Sequence, residues 1–519
     1  MKFGRKLSLI IAAVSAAAMI SCNCQTETVC SPYSYDDGLP RSTPEAQGVP
    51  SEAIAQAFKA IKDGGYETHG VMILRHGNVI AEHWWAPYAP DVQHAMYSAT
   101  KTFTGTAVGF AVQEGLLKVS DRVMDFFPEL LPETVPAGLE KLTVEHLLTM
   151  SCGHAVTQYP GSGTDQIRSF LATEFKYEPG ESFAYDITCS HMLSRIITKV
   201  TGITIKEYLE PRLLDKLGIK DVVWEMDLDG CNMGNGGSHM RTSDLAKLGL
   251  FLINGGKWDG EQLLNPEWIA AMTTPHIYQH PERSEEENAG DDGAQGYGYQ
   301  TWMGRCGSYR AIGGQNQLCL VIPDYDVVIA VHSQVRDENG FNTIMYKLCE
   351  SMSDKPLKAS GFDLASEIAG YELARPFTSS SAGLRSTTRR YEMEKNSLGI
   401  NAVSFRFDKD GNCTVTMEEA ASVHNLNFGL DSWMRGSTDR TMTFARAAYK
   451  NTMNSTPVNT AGLCAWTGED ELSAYWLSMF NVGAAETLVF NFNEKGMAMT
   501  IKGMPAGLTI NGTLITSTL

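Results

Sequence analysis

Ser98 and Lys101 form a Ser-x-x-Lys pair whose residue types and spacing suit nucleophilic chemistry. Residues three apart lie on the same face of a helix, so one turn would bring the serine hydroxyl beside the lysine amine. A hydroxyl becomes a good nucleophile when a neighbouring base removes its proton. A lysine among apolar residues loses part of its preference for the charged form and can act as that base. The pair therefore predicts a nucleophile at Ser98 that is activated by Lys101.

The element that must position this pair is an apolar stretch from Thr102 to Val112, which Gly115 ends. We expect a buried helix that starts near Ser98, with the pair at the positive end of the helix dipole. For these residues alone an alternative stays open. In it, Ser98 only caps the helix and Lys101 is a solvated residue of the first turn.

A serine–lysine pair also needs a proton relay and donors for an oxyanion. Tyr185 lies just before a predicted helix and could share the Ser98 proton. Gly313 and Gly314 precede an apolar strand, and adjacent glycines let a backbone approach a ligand closely. A backbone N–H there, with that of Ser98, would form an oxyanion hole. Taken singly, Tyr185 also fits an ordinary aromatic residue, and the two glycines fit a turn between strands.

Other catalytic machineries leave no signature in the sequence. It contains no Gly-x-Ser-x-Gly elbow, no His-Glu-x-x-His and no Gly-Lys-Ser/Thr phosphate loop. The 12 histidines show no metal-ligand spacing, so neither a metal nor a cofactor is expected. A formal charge of −18, from 42 basic and 60 acidic residues, argues against nucleic acid as a partner.

The first residues read as an export signal. A basic start is followed by an apolar run from Leu7 to Ile20, which is short for a membrane span. Around its end, Met19-Ile20-Ser21-Cys22 resembles a bacterial lipoprotein processing site, with Cys22 as the lipidated new terminus. We therefore expect a signal peptide at 1–22, a tether at 23–45, and a lipoprotein of the periplasm or cell envelope. Cleavage after Ser21, which would release a secreted protein, is the alternative.

Eleven cysteines are present, and their spacing shows neither a disulfide framework nor a Cys-x-x-Cys. An exported chain could pair some of them. Cys306 and Cys319 fall on two segments that are predicted to be adjacent strands, so this pair is the first to test. Isolated buried thiols are the alternative.

Two folded domains are predicted from the pattern of the chain. In residues 46–360, two strands precede a helical middle, and three strands and a helix follow it, which suits one antiparallel sheet with a helical lobe. Residues 361–382 read as a linker. Alternating apolar residues in 383–519 predict a small antiparallel β domain without a chemical constellation. The predicted fold class is therefore α/β in the broad sense of mixed helices and strands. In the strict sense it is α+β, because the sheet is antiparallel.

Motifs in order along residues 40–355 resemble those of the serine β-lactamase-related family, meaning class C β-lactamases, DD-peptidases and related esterases. The matching stretches are Arg41-Ser42-Thr43-Pro44-Glu45-Ala46-Gln47-Gly48, Arg75-His76-Gly77, Tyr97-Ser98-Ala99-Thr100-Lys101, Thr143-Val144-Glu145-His146-Leu147-Leu148, Phe183-Ala184-Tyr185, Gly236-Gly237-Ser238 and Thr242-Ser243-Asp244-Leu245-Ala246. The resemblance implies the β-lactamase/DD-peptidase fold.

The resemblance also implies roles for individual residues. Ser98 matches the nucleophile, Lys101 its activating partner, and Tyr185 the tyrosine of a Tyr-x-Asn motif, a general base. The third motif, Lys or His-x-Gly, falls at Ala311-Ile312-Gly313, and Gly314 matches the residue whose N–H completes the oxyanion hole.

Two positions depart from the family pattern. Ile187 stands where the family has the Asn of Tyr-x-Asn, and Ala311 stands where it has the basic residue that pairs with a substrate carboxylate. Both departures favour esters or other amides over carboxylate-bearing β-lactams. We therefore expect an exported serine hydrolase that acts on a small ester or amide, or on a cell-wall peptide, through an acyl-enzyme. The alternatives are a peptidoglycan DD-peptidase or β-lactamase, and a non-catalytic surface binding protein.

Overall fold

The computed structural model describes residues 35–157, 159, 161–383, 388–440, 442, 457–480, 483–502 and 507–518. In these residues the helices are α1 (Ser51–Asp63), α2 (Thr100–Gln113), α3 (Val123–Phe126), α4 (Val144–Leu148), α5 (Thr164–Leu171), α6 (Ile187–Thr201), α7 (Ile205–Leu209), α8 (Thr242–Ile253), α9 (Pro266–Met272), α10 (Glu285–Ala289), α11 (Glu338–Glu350) and α12 (Leu364–Ile368). The strands are β1 (Glu67–Arg75), β2 (Asn78–Trp84), β3 (His94–Ala95), β4 (Val223–Trp224), β5 (Ser238–Met240), β6 (Lys257–Trp258), β7 (Glu261–Gln262), β8 (Trp302–Met303), β9 (Tyr309–Gly313), β10 (Gln317–Ile322), β11 (Val327–Gln334), β12 (Thr388–Met393), β13 (Ile400–Phe407), β14 (Cys413–Glu419), β15 (Val423–Leu430), β16 (Met434–Thr438), β17 (Val458–Trp466), β18 (Glu471–Ser478), β19 (Ala485–Phe492), β20 (Gly496–Lys502) and β21 (Leu508–Thr518).

The predicted sheet is confirmed, because strands from before and after the helical middle join in one antiparallel sheet. Its order is β2-β1-β11-β10-β9-β8. Side chains of a strand point alternately to the two faces of a sheet. In β1, Val71 and Ile73 accordingly pack into one core, and Met72 and Leu74 pack into another. Both faces are covered, which explains why β1 reads as an unbroken apolar run.

Helices cover both faces of this sheet. On one face lie α1, α11 and α12, while α8 packs on the other face against β10 and β11. Gly249 of α8 allows this contact, since a Cβ there would lie 2.4 Å from a methyl group of Val328 and 2.7 Å from Cys319 Sγ. Helix α12 lies within the predicted linker 361–382, and the predicted domain limits themselves stay predictions.

The helical lobe is built around α2, which carries the buried stretch predicted from sequence. Residues Thr100 to Ala111 are all buried, and α2 packs on α6, which in turn packs on α4 and α5. The predicted helix start needs a correction. Tyr97–Ala99 forms a 3₁₀ turn, and α2 begins at Thr100, so Ser98 lies in the turn rather than in the helix.

In its described residues, the second domain, which spans 388–518, forms a ten-stranded sheet that we call the C-terminal β domain. Nine antiparallel pairings run in the order β15-β14-β13-β12-β21-β20-β19-β18-β17-β16. A short parallel pairing of β15 with β17 closes the sheet on itself. Its interior is filled by aromatic and aliphatic side chains, among them Tyr391, Phe405 and Trp476. The prediction of an additional antiparallel β domain is confirmed.

Cys306 and Cys319, the pair that the sequence left to be tested, are not joined in the structure. Cys306 is exposed in the turn between β8 and β9, whereas Cys319 is buried on β10 beneath α8, and both are free thiols. The strand predicted to hold Cys306 ends before that residue. Among the described cysteines, Cys152 and Cys189 are buried and in contact, with their Sγ atoms 2.7 Å apart.

Candidate active site

Ser98 lies at a tight bend between β3 and α2. Tyr97, the preceding residue, has φ +44°, a left-handed conformation that bulky residues rarely adopt. Two backbone hydrogen bonds hold the bend. Met96 N donates to Ser238 O at 2.9 Å, and Ala99 N donates to Met96 O at 3.1 Å. The strained bend places the half-buried Ser98 at the edge of a cavity.

Lys101 lies one turn further on, and its amine contacts the serine. Lys101 Nζ donates to Ser98 Oγ at 2.8 Å and to the backbone oxygen of Asn235 at 2.7 Å. Burial lowers the pKa of Lys101 to about 7, although the nearby Asp186 and Cys189 act in the opposite direction. A substantial fraction of this amine is therefore neutral at physiological pH and able to accept a proton.

Tyr185 completes the group of three predicted residues, which the fold brings together. Lys101 Nζ lies 5.0 Å from the centre of its ring, and the ring packs at 5.7 Å against that of Trp302. Burial raises the pKa of Tyr185 to about 12, while a hydrogen bond with the Ser98 hydroxyl acts in the opposite direction. At neutral pH the phenol therefore keeps its proton and is a donor.

The loop between β4 and β5 supplies a contact that the sequence analysis missed. Thr100 Oγ1 lies 2.7 Å from Ser238 Oγ, and Thr104 Oγ1 donates to Gly234 O at 2.7 Å. These two hydroxyls, one turn apart on α2, hold the loop so that the carbonyl of Asn235 faces Lys101. The only signal in the sequence was a pair of hydroxyls spaced four apart on a buried helix.

Gly313 lies against the Ser98 bend. A Cβ on Gly313 would be 2.1 Å from Met96 O and 3.0 Å from the backbone nitrogens of Ser98 and Ala99, so only glycine fits. Gly314 follows beside the ring of Tyr97. The end of β9 and the Ser98 bend are therefore adjacent, as a shared oxyanion hole requires.

We expect Gly313→Ala to lower kcat/KM for an acyl substrate by about 10²- to 10³-fold, because the added methyl group would push β9 away from the bend. The same overlap should lower the free energy of unfolding by about 1–3 kcal/mol. Steady-state kinetics and urea unfolding would measure both effects. Gly370→Ala is the matched control, since a Cβ there meets nothing within 4 Å. Full activity in Gly313→Ala would contradict the close approach of β9 to the bend at Ser98.

Ile187 and Ala311, the two residues that depart from the family pattern, lie in different environments. Ile187 is the first residue of α6 and is 40% exposed. Because its side chain is a hydrocarbon, it offers no polar atom to Lys101. The Asn235 carbonyl makes that contact instead. Ala311 is buried on β9 opposite Cys319. Arg310, the neighbouring basic residue, is also buried, and it donates to the backbone oxygen of Met303.

A cavity of about 250 Å³ opens beside Ser98. Its lining residues are Ala95, Tyr97, Ser98, Glu225, Met233, Asn235, Gly236, Gly237, Ser238 and His239. The C-terminal β domain reaches this region through Phe480. Ala95 N donates to Phe480 O at 3.0 Å, and the Phe480 ring stacks on His239 with ring centres 3.6 Å apart. Glu225 and Phe480 were not predicted, since nothing local marks residues that meet only in the folded chain.

Within the described residues, no group of three or more His, Cys, Asp and Glu side chains is placed to hold a metal ion. The side chains gathered around Ser98 supply its hydroxyl as a nucleophile, an amine with a lowered pKa at Lys101, and a phenol at Tyr185. Such a set can transfer an acyl group.

A family model and several known proteins are similar to this chain. A family model described as Beta-lactamase matches residues 54–348. The chain is 25% identical over 251 residues to a 6-aminohexanoate-dimer hydrolase of Paenarthrobacter ureafaciens. The alignment covers 44% of this chain and 64% of that protein, so the chain spans just under two thirds of the length of this relative. It is 23% identical over 312 residues to a putative D-alanyl-D-alanine carboxypeptidase of Escherichia coli K12, covering 46% and 72%. The octameric penicillin-binding protein homologue from Pyrococcus abyssi aligns at 19% identity with a TM-score of 0.46, covering 90% and 99%.

Proposed function

We propose, from the premise that the chain belongs to the beta-lactamase family of serine hydrolases, that it hydrolyses an ester or amide through an acyl-enzyme at Ser98. One observation carries the proposal. The Lys101 amine lies 2.8 Å from Ser98 Oγ, and its pKa is lowered by burial to about 7. A nucleophile and a base that is poised near neutral pH are the pair that acyl transfer needs.

In the proposed first step, neutral Lys101 accepts the Ser98 proton as Oγ attacks the substrate carbonyl. The backbone N–H groups of Ser98 and Gly314 stabilise the resulting oxyanion. Tyr185 gives its proton to the departing alcohol or amine and regains one from the Lys101 ammonium. Water then attacks the acyl-enzyme by the reverse route, which releases the acid and restores the serine.

Tyr185 is assigned here as a proton donor, which differs from the general-base role that the resemblance implies. Burial separates the two pKa values, to about 7 for Lys101 and about 12 for Tyr185. When the environment separates the pKa values of two groups in one site, the lower one belongs to the base and the higher one to the acid.

The pH dependence of kcat/KM tests this assignment. Raising the pH through about 7 converts Lys101 to its neutral form, so kcat/KM should rise about tenfold per pH unit below 7 and level off above it. A Tyr185→Phe variant should be slower but keep the same midpoint. A midpoint near the phenol pKa of about 12 would instead make Tyr185 the base.

Substrate choice follows from the two departures. Ala311 and Ile187 stand where the family has a basic residue and an asparagine. A substrate carboxylate therefore lacks the partners that the family provides, which favours neutral esters and amides. The test is a panel of 4-nitrophenyl esters, nitrocefin and a D-alanyl-D-alanine peptide, with pre-steady-state detection of an acyl-enzyme burst. Turnover of the peptide or nitrocefin alone would favour the DD-peptidase or β-lactamase alternative. No turnover of any of them would favour the binding-protein alternative.

We further propose that the protein is exported and anchored through a lipid on Cys22, a residue outside the described part of the chain. Among the described residues, no helix is long and apolar enough to cross a bilayer. Labelled palmitate should be incorporated into the wild-type protein and lost in Cys22→Ala, whereas Cys24→Ala, two residues away, should keep the label. Equal labelling of both variants would contradict the anchor.

A further inference from the structure

Glu225 places a carboxylate in the cavity beside the nucleophile. It directly follows β4 and lines the same cavity as Ser98. Its backbone is fixed, because Glu225 N donates to Gly237 O at 2.9 Å and Glu225 O accepts from Met233 N at 2.9 Å. The position of this side chain therefore follows from the loop between β4 and β5 that also holds Lys101.

The carboxylate is poorly neutralised by the protein. It is 17% exposed, and the nearest basic group recorded for it in the described residues is His239, with Nε2 at 4.0 Å. Burial raises the pKa of Glu225 to about 7. A carboxylate withdrawn from water without a close cation is costly, and a ligand cation that pairs with it recovers that cost.

Among the described residues, those that line the cavity with Glu225 offer a further hydrogen-bond acceptor and include no lysine or arginine. The side-chain oxygen of Asn235, which lines the same cavity, is buried and without a partner in the described part of the chain. Lys101 is partly neutral near pH 7. The region should therefore repel a substrate carboxylate and attract a group that is positively charged and donates hydrogen bonds.

We propose that this cavity binds a cationic group of the substrate, with Glu225 as the residue that determines specificity, so that the preferred substrates are esters or amides that carry an alkylammonium group. This inference rests on the proposed hydrolysis at Ser98 and names the substrate class of that site. His239, held by Phe480 of the C-terminal β domain, forms the wall behind Glu225.

Two matched pairs of esters test the inference. One pair carries the charge in the acyl chain, 4-nitrophenyl 6-aminohexanoate against 4-nitrophenyl heptanoate, and the other carries it in the alcohol, 2-aminoethyl against propyl benzoate. In the wild type, kcat/KM should favour the ammonium ester of at least one pair by about tenfold. In Glu225→Gln this ratio should fall to about one, and in Glu225→Lys it should fall below one.

Because each ratio is measured within one variant, a loss of folded enzyme cancels. Glu350→Gln, at an exposed position of α11, removes the same charge and should keep the wild-type ratio. As a second measurement on the wild type, n-butylammonium should inhibit hydrolysis of the neutral ester more strongly than butanol does.

The outcomes separate this inference from the proposed function. Wild-type hydrolysis of both members of each pair at equal rates would overturn the inference and leave the hydrolase in place. So would a preference that survives in Glu225→Gln. Hydrolysis of none of the esters would overturn both.

Discussion

Replacing Ser98 by alanine should lower kcat/KM for ester hydrolysis by about 10⁴- to 10⁶-fold. The alanine has no oxygen to form the acyl-enzyme, and neither Lys101 nor Tyr185 can take over that role. The loss should appear in kcat, because the cavity that binds the substrate is unchanged. Steady-state kinetics with a 4-nitrophenyl ester would measure it, and the acyl-enzyme burst should vanish with it.

Ser120→Ala is a suitable control, since Ser120 is an exposed serine in a turn and does not line the cavity. It should behave as the wild type does. Hydrolysis by Ser98→Ala at the wild-type rate would show that another group is the nucleophile. The cluster around Ser98 would then be structural.

Replacing Lys101 by methionine should lower kcat by about 10²- to 10⁴-fold, the range expected when a general base is removed. Methionine has a similar length and suits the buried position, so folding should be kept while the proton acceptor is lost. The Lys101→Arg variant separates two roles of the lysine. Arginine keeps a positive charge but does not deprotonate in proteins, so it should be as inactive as methionine.

Lys347→Met, at an exposed position of α11, is the matched control and should retain wild-type activity. If Lys101→Arg were active, the lysine would serve through its charge rather than as a base. The ascending limb of the pH profile near 7 would then need another source, and Asp186 and Glu225, whose pKa values burial raises to about 7, would be the candidates.

The contact between Ser98 and Lys101 could be predicted from sequence because a spacing of three residues determines it locally. The prediction held although the local structure differs, since a 3₁₀ turn precedes α2 and still leaves the two side chains 2.8 Å apart. For Tyr185 and the two glycines, the residues alone left alternatives open, and the resemblance was needed to choose between them. Their contacts with Ser98 span 87 residues or more, and spacing carries no information at that range.

The contacts of the loop between β4 and β5 could not be predicted. Asn235 lies 134 residues from Lys101, and its contribution is a backbone carbonyl, which any residue type provides. Glu225 reads in the sequence as an ordinary charged residue, and only the fold shows that it is withdrawn from water beside the nucleophile.

The strand segments show a similar limit. Tyr297 to Met303 has the composition of one strand, but only Trp302–Met303 pairs in the sheet. Gly298 N instead bonds to Thr301 O, and Gln300 turns inward to bind the backbone of α4. A tight turn that is stabilised by a distant helix leaves no periodic pattern to detect.

Intact-protein mass after incubation with a fluorophosphonate tests the central claim most directly, because it asks whether Ser98 is an activated nucleophile without requiring knowledge of the substrate. The wild type should gain the mass of one phosphonyl group. Ser98→Ala should gain none, Lys101→Met should react far more slowly than the wild type, and Ser120→Ala should react as the wild type does. An unmodified wild type, or the same adduct on Ser98→Ala, would contradict the proposed hydrolase.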